Sequence, residues 1–196
     1  MNPILRVDSL QVRYRGAPRP AVADISFEIG QSECLAIVGE SGSGKTTTAM
    51  ALLRLLGPVA EISARAITLA DQDFLNATPS ELRAIRRDLI GTVFQDPTAN
   101  WNPARTIGAQ VIQPFPREEH EERRNEFISY MERVGIDRAN LRIDQYPHNL
   151  SGGMLQRAMI AGARLGNPRL LVADEPTSAL DVTVQADLIS LLKDLA

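Results

Sequence analysis

The chain has 196 residues, 44% of them hydrophobic and 23% charged, with a formal net charge of −3 at neutral pH. That length buries a sizeable core, and the acidic balance removes the basic field on which backbone-driven nucleic-acid binding depends, so no nucleic-acid partner is expected. The longest apolar runs, such as AMALLRLL at 49–56, fall short of the roughly 20 residues that cross a bilayer, no secretory signal opens the chain, and the one cysteine, Cys34, excludes an internal disulfide.

In chain order, Leu10, Val12 and Tyr14 alternate with polar residues. After the proline-rich loop GAPRP, Ile25, Phe27 and Ile29 do the same, which predicts two half-buried antiparallel strands. The run CLAIVG is continuously apolar and predicts a strand buried on both faces, with Cys34 as a small core residue. From Lys45 to Leu56 the apolar positions Ala49, Leu52, Leu53 and Leu56 keep helical spacing, until Gly57-Pro58 stops the helix. Residues 62–74 read as another short strand pair. In TPSE, Thr78 is set as a helix cap, Pro79 as the first helical residue and Glu81 as the reciprocal capping partner. That helix ends ahead of IGTVF, a β-branched and aromatic run leading into QDP.

The character then changes. REEHEERRNEFISYMERVG predicts a charged helix with an apolar stripe at Phe127, Met131 and Val134, closed by Gly135. Residues from about 97 to 164 read as a mostly helical lobe inserted into an α/β core. The core resumes where Gly166, Asn167 and Pro168 close the preceding helix and RLLVADE forms a second doubly buried strand. A final helix is expected from about Val182 to Leu195.

Three stretches carry chemistry. GESGSGKT, from Gly39 to Thr46, fits G-x-x-x-x-G-K-[ST] in full, with a buried strand expected before it and an amphipathic helix after. Its glycines turn backbone N–H groups inward around phosphate oxygens at a helix start. Lys45 brings a point charge to the β and γ phosphates, and the Thr46 hydroxyl suits Mg²⁺. In RLLVADEP a strand delivers two adjacent acids, Asp174 for a Mg²⁺ shell and Glu175 to orient or deprotonate an attacking water. In LSGGMLQRAMIAGARL, Ser151, Gly152 and Gly153 precede a helical run and offer a second helix start with a hydroxyl. Ser-Gly-Gly alone reads equally as a helix start with no ligand.

The order GESGSGKT, VFQDP, LSGGMLQR, LLVADEP and SALD resembles the ATP-binding subunit of ABC transporters over nearly the whole chain. The resemblance implies a P-loop NTPase (RecA-like) α/β core with an N-terminal antiparallel β subdomain and an inserted α-helical subdomain. One ATPase domain would span 1–196, with the α/β core at 1–97 and 165–196 and the helical signature subdomain at 98–164. ATP and Mg²⁺ are the implied cofactors. Gly39, Ser41, Gly42, Ser43, Gly44, Lys45, Thr46 and Thr47 would hold the phosphates, and Tyr14 stands where the family stacks an aromatic on adenine. Gln95 matches the glutamine that reaches Mg²⁺ and the attacking water, and Asp181 in SALD matches an aspartate that contacts the opposite protomer. Taken alone, Gln95 is also a surface glutamine, Tyr14 a strand tyrosine and Asp181 a helix cap. Glu175, Gln95 and Lys45 form the implied catalytic set; Thr46, Gln95 and Asp174 the metal set. In this family two ATPase domains meet head to tail, so Ser151, Gly152 and Gly153 would close on nucleotide held by the other one. Met154 stands where many members have glutamine.

A narrower likeness, in QDPTANWNP, YPHNLSGGMLQR and DEPTSALDVTVQA, is to importers of dipeptides, oligopeptides and nickel. It implies a second ATP-binding subunit, identical or related, permease subunits, a solute-binding protein acting indirectly, and a place on the cytoplasmic side of the plasma membrane. The family's histidine beyond the SALD helix has no counterpart here, since His120 and His148 both precede that helix. The remaining core strands are also expected to be missing, which reads as a C-terminally truncated chain. Two rivals are weighed: a non-catalytic nucleotide-binding or regulatory module, and a DNA-maintenance ATPase with an ABC-type signature. The latter normally places long coiled coils between the two glycine motifs, and no sustained heptads occur here.

Overall fold

The computed structural model describes residues 2–176. The final helix expected from Val182 lies outside the described residues, as do Asp181 and the rest of SALD. The chain divides into two compact units, Met1–Arg86 and Arg87–Ala196.

The first unit is built on an antiparallel sheet. β1 (Leu5–Tyr14) pairs along one edge with β2 (Val22–Ile29), Val7 facing Phe27 and Val12 facing Val22. Left-handed turns at Ser9 and Asp24 accompany register shifts in this pairing. The alternation expected here is present: Leu10 and Val12 are buried, while Asp24, Ser26 and Glu28, which alternate with Ile25, Phe27 and Ile29, are exposed. β3 (Ala60–Ser63) and β4 (Ala66–Leu69) both dock on β1, at residues 11–14 and 5–8, so they lie end to end along its other edge. β4 turns back into the short β5 (Gln72–Asp73).

α1 (Lys45–Leu52) is a turn shorter than its apolar spacing predicts. Arg54 adopts φ 53°, which no continuing helix tolerates, and the Leu55 N–H reaches back to the Met50 carbonyl at 2.9 Å. Two arginines hold this ending. The Arg54 guanidinium donates to the Phe74 and Leu75 carbonyls, and Arg86 takes up the Leu53 and Arg54 carbonyls at 2.8 and 2.7 Å. α2 (Pro79–Leu89) starts as TPSE predicts. The Thr78 N–H donates to the Glu81 carboxylate at 2.7 Å and the Glu81 N–H to the Thr78 hydroxyl at 3.4 Å.

One expectation fails in this unit. CLAIVG forms no strand: residues 31–40 are all exposed, Val38 at 88%, and Cys34 is an exposed free thiol, not a core residue. A doubly buried strand needs a ladder on each edge and cover on each face. β1 to β5 pair antiparallel among themselves, and β6 and β7 pair with each other in the other unit, so among the described residues nothing ladders to this run.

The second unit joins a parallel pair to a helical core. β6 (Ile90–Val93) runs parallel to β7 (Leu170–Ala173), Val93 facing Ala173. β7 is half-buried, not doubly buried as RLLVADE suggested, because among the described residues it pairs on one edge only. α3 (Ile107–Ile112), α4 (His120–Arg133), α5 (Ala139–Arg142) and α6 (Gly152–Ala163) pack around one apolar cluster. The stripe on α4 is as expected, with Phe127 and Met131 at 0% exposure and Val134 at 7%. Gly135 closes it, the Ile136 N–H bonding back to Met131 at 2.9 Å. β6 lies so close to α6 that a side chain on Gly91 would sit 2.0 Å from the Ala163 carbonyl oxygen.

Candidate functional site: a phosphate loop and a strand-end carboxylate pair

The phosphate loop and Tyr14 belong to the first unit. Gly42 and Gly44 take φ +80° and +97°, a region open to glycine. At Gly44 a Cβ would also meet the Ala21 carbonyl oxygen at 2.5 Å, so the position admits no other residue unstrained. At Gly39 the missing side chain leaves room for the Ser43 hydroxyl, 2.7 Å from where a Cβ would lie. Gly44 is the N-cap of α1 and has nothing to cap it with, and no acid stands in the first turn. The helix therefore keeps the positive end of its dipole without a carboxylate of its own first turn against it. Lys45 Nζ donates to the Gly39 and Glu40 carbonyls at 2.9 and 3.0 Å, which holds the ammonium over the loop. Ser41 and Thr46 are exposed, and Thr47 is partly buried. Tyr14 ends β1 opposite Ala60 and is partly exposed.

The carboxylate pair belongs to the second unit. Because β6 and β7 are parallel, their ends emerge together, and Asp174 continues the ladder through its N–H to the Val93 carbonyl at 2.9 Å. Glu175 follows at φ 43°, a strained conformation for a side-chain-bearing residue. Gln95, 80 positions away, donates its amide Nε2 to Glu175 Oε2 at 2.7 Å. Just past Gln95, Asp96 accepts from the Thr98 hydroxyl and from the Thr98 and Ala99 N–H groups at 2.7, 2.8 and 3.1 Å. Those bonds, the Thr98 hydroxyl first, hold its carboxyl below the usual aspartate range.

Ser151 caps α6, its Oγ accepting the Met154 N–H at 3.3 Å. A Cβ placed on Gly152 or Gly153 would touch nothing within 4 Å among the described residues. Met154 packs its thioether against the apolar cluster. The single tryptophan, Trp101, donates its indole N–H to the Leu155 carbonyl at 3.3 Å, tying the segment after Gln95 to α6.

One residue escaped the motif reading. Gln156, 1% exposed, donates Nε2 to the Pro176 carbonyl at 2.7 Å, directly after Glu175. Its signal was the helical period: Gln156 shares a face with Ile160 and Ala163, both buried, so it is a polar side chain on an apolar stripe.

For Mg²⁺, the donors that the motifs nominate are oxygens: the Thr46 hydroxyl, the Gln95 amide carbonyl and the Asp174 carboxylate. No group of three or more acidic, histidine or cysteine side chains placed to hold a metal ion occurs among the described residues. Each nominated oxygen is a hard donor of the kind Mg²⁺ takes, with the rest of the ion's shell left to phosphate and water.

These features define a class before they define a member. A sequence model described as "ABC transporter" matches residues 22–178, and the chain belongs to that family. It is 44% identical to a putative peptide import ATP-binding protein of Brucella abortus over 98% of this chain and 60% of that protein. It is 42% identical to the oligopeptide transport ATP-binding protein OppD of Haemophilus influenzae over 100% of this chain and 62% of that protein. The chain thus spans about three-fifths of the length of these relatives. Among solved structures, the ATP-binding cassette MJ0796, a dimer bound to ADP and Pi, superposes with a TM-score of 0.79 at 28% identity, over 97% of this chain and 82% of that one. The cbiO1 protein of Clostridium perfringens, described as part of the transporter complex cbiONQ, gives 0.77 at 26% identity over 100% of this chain and 74% of that one. Both are ABC cassettes, in agreement with the α/β fold and antiparallel N-terminal sheet seen here.

Proposed function

We propose that this chain binds and hydrolyses ATP to power an importer of peptides. In this reading it sits on the cytoplasmic face of a membrane as a head-to-tail pair with a second, identical or related, subunit. Permease subunits receive the motion, and a solute-binding protein supplies their cargo. The observation that carries the nucleotide reading is the start of α1: a glycine cap, an acid-free first turn and a lysine held over the loop. That combination offers backbone N–H groups and a cation to phosphate oxygens. The peptide class rests on the names of the relatives, and the paired arrangement on the dimeric cassette. No helix among the described residues is long and apolar enough to cross a membrane.

The residues divide the work. Gly39 to Thr47 enclose the phosphates, Lys45 exchanges its loop carbonyls for β and γ oxygens, and Tyr14 stacks on the base. Glu175, oriented by the Gln95 amide, takes the proton of the attacking water. Thr46, Gln95 and Asp174 would hold Mg²⁺, which would neutralise phosphate charge. Ser151, Gly152 and Gly153 meet nucleotide on the opposing subunit, so ATP favours the closed pair and hydrolysis releases it.

Titration with ATP and a parallel turnover assay test this on the complete subunit. Lys45→Ala is expected to weaken ATP binding at least about tenfold, the loss of a charge-assisted contact. Glu175→Gln is expected to keep ATP binding and lose about 10² to 10⁴ in turnover. Unaltered binding in the first variant, or unaltered turnover in the second, rejects the reading.

A further inference from the structure

We propose that Gln156 is a positioning residue for Glu175, acting through the carbonyl of Pro176. The inference rests on the reading of Glu175 as the base.

Glu175 sits at φ 43°, and a side-chain-bearing residue keeps such a conformation only where its surroundings determine it. Three bonds do so. On the strand side, the Asp174 N–H is bound to Val93 at 2.9 Å; on the side chain, Gln95 holds Oε2 at 2.7 Å; beyond the turn, Gln156 holds the Pro176 carbonyl at 2.7 Å. The first two come from the β6 end. Only the third reaches the turn from α6, the helix that begins at Ser151.

Two properties of Gln156 separate it from ordinary packing. It is among the few polar side chains buried in the described core, on a face shared with Ile160 and Ala163. Its second amide atom, Oε1, is buried and has no hydrogen-bond partner among the described residues. An apolar residue of the same length would fill this space without an orphan acceptor, so packing alone does not call for glutamine. What the amide adds is one N–H donor aimed at the backbone that fixes Glu175. The start of α6 and the strained carboxylate turn are thereby linked within one unit through about a turn and a half of helix.

A double-mutant cycle on ATP turnover by the complete subunit tests this. Gln156→Met keeps the length and volume and removes the donor. Expected are a fall in kcat on the order of tenfold, a KM for ATP within about twofold of the parent, and an unlowered melting midpoint, since the unpaired acceptor goes too. Trp101 fluorescence should not move, because its indole is bound to the neighbouring Leu155 carbonyl and reports on displacement of α6. In a Glu175→Gln background the same substitution should change residual single-turnover hydrolysis by less than about twofold, the non-additivity of residues that act as a unit. Gln156→Leu should repeat the pattern. An equal loss in both backgrounds, a loss confined to KM, or a lowered melting midpoint with a proportional loss of ATP binding overturns the assignment. Undiminished turnover in Glu175→Gln alone overturns instead the reading of Glu175 as base.

Discussion

The two glycine-led helix starts, at Gly44 and at Gly152, look alike on paper and are physically opposite. At α1 the loop needs its glycines: Gly44 is at φ +97° and has the Ala21 carbonyl where a Cβ would be. At α6, Gly152 and Gly153 are helical, their missing side chains face open space, and Ser151 already caps the helix. The first set is explained by the chain itself. The second is not, and glycine in a helix is less stable than alanine by up to about 1 kcal/mol. On the proposed reading, the close approach of a nucleotide on the opposing subunit would account for small residues there.

Substitutions that fill each site should therefore diverge. The largest effect is expected at Gly44→Ala, where positive φ and the blocked Cβ act together. Destabilisation of about 2 to 3 kcal/mol and loss of ATP binding should appear in denaturant melts and titration, and a neutral result would mean that the loop yields easily. Next comes Gly153. Gly153→Ala should stabilise the chain by about 0.4 to 1 kcal/mol while weakening ATP-driven pairing. Pairing is readable as a disulfide between Ser151→Cys on one subunit and Ser41→Cys on the other; because Cys34 is exposed, it must first be replaced by serine. Unchanged crosslinking in Gly153→Ala, and more so in Gly153→Asp, would return α6 to an ordinary helix start.

A third helix start calibrates both. α2 is closed by the Thr78 and Glu81 box, so Thr78→Ala should cost about 1 kcal/mol and leave ATP affinity unchanged. The smallest effect is its pH dependence. The Thr78 hydroxyl, then the Thr78 N–H, hold Glu81 below its usual 4.5. A depressed carboxyl adds stability that is complete above the ordinary glutamate value and is lost as pH falls through the lowered one. The gap between melts of the parent and Thr78→Ala should thus narrow in acid below that range; a constant gap would show that ionised Glu81 plays no part.

Much of the local structure was legible because it is decided within a few residues. Thr78 and Glu81 find each other across one turn, Phe127 and Met131 are one helical period apart, and Gly135 supplies the backbone angle that ends α4. The alternation at Leu10 and Val12 likewise announced β1. Elements that depend on distant partners were harder to read. CLAIVG has the composition of a buried strand, yet a strand exists only where a neighbour takes up its N–H and carbonyl groups. The end of α1 at Leu52 depends on Arg86, which arrives from α2 to bind the Leu53 and Arg54 carbonyls. Gln156 sits in a run dominated by the signature, and its buried contact with Pro176 is set by how α6 packs.

The order of motifs along the chain determined which chemistry the residues can perform, since a glycine-lined loop with lysine and a strand ending in two acids are properties of short segments. Only the tertiary structure decided which of those groups meet. The parallel pairing of β6 with β7 brings Gln95 to Glu175 across 80 positions, and the packing of α6 sets Gln156 against the same turn. Hydrogen bonds of under 3 Å between remote residues are fixed by registers and packing distances that no local pattern encodes.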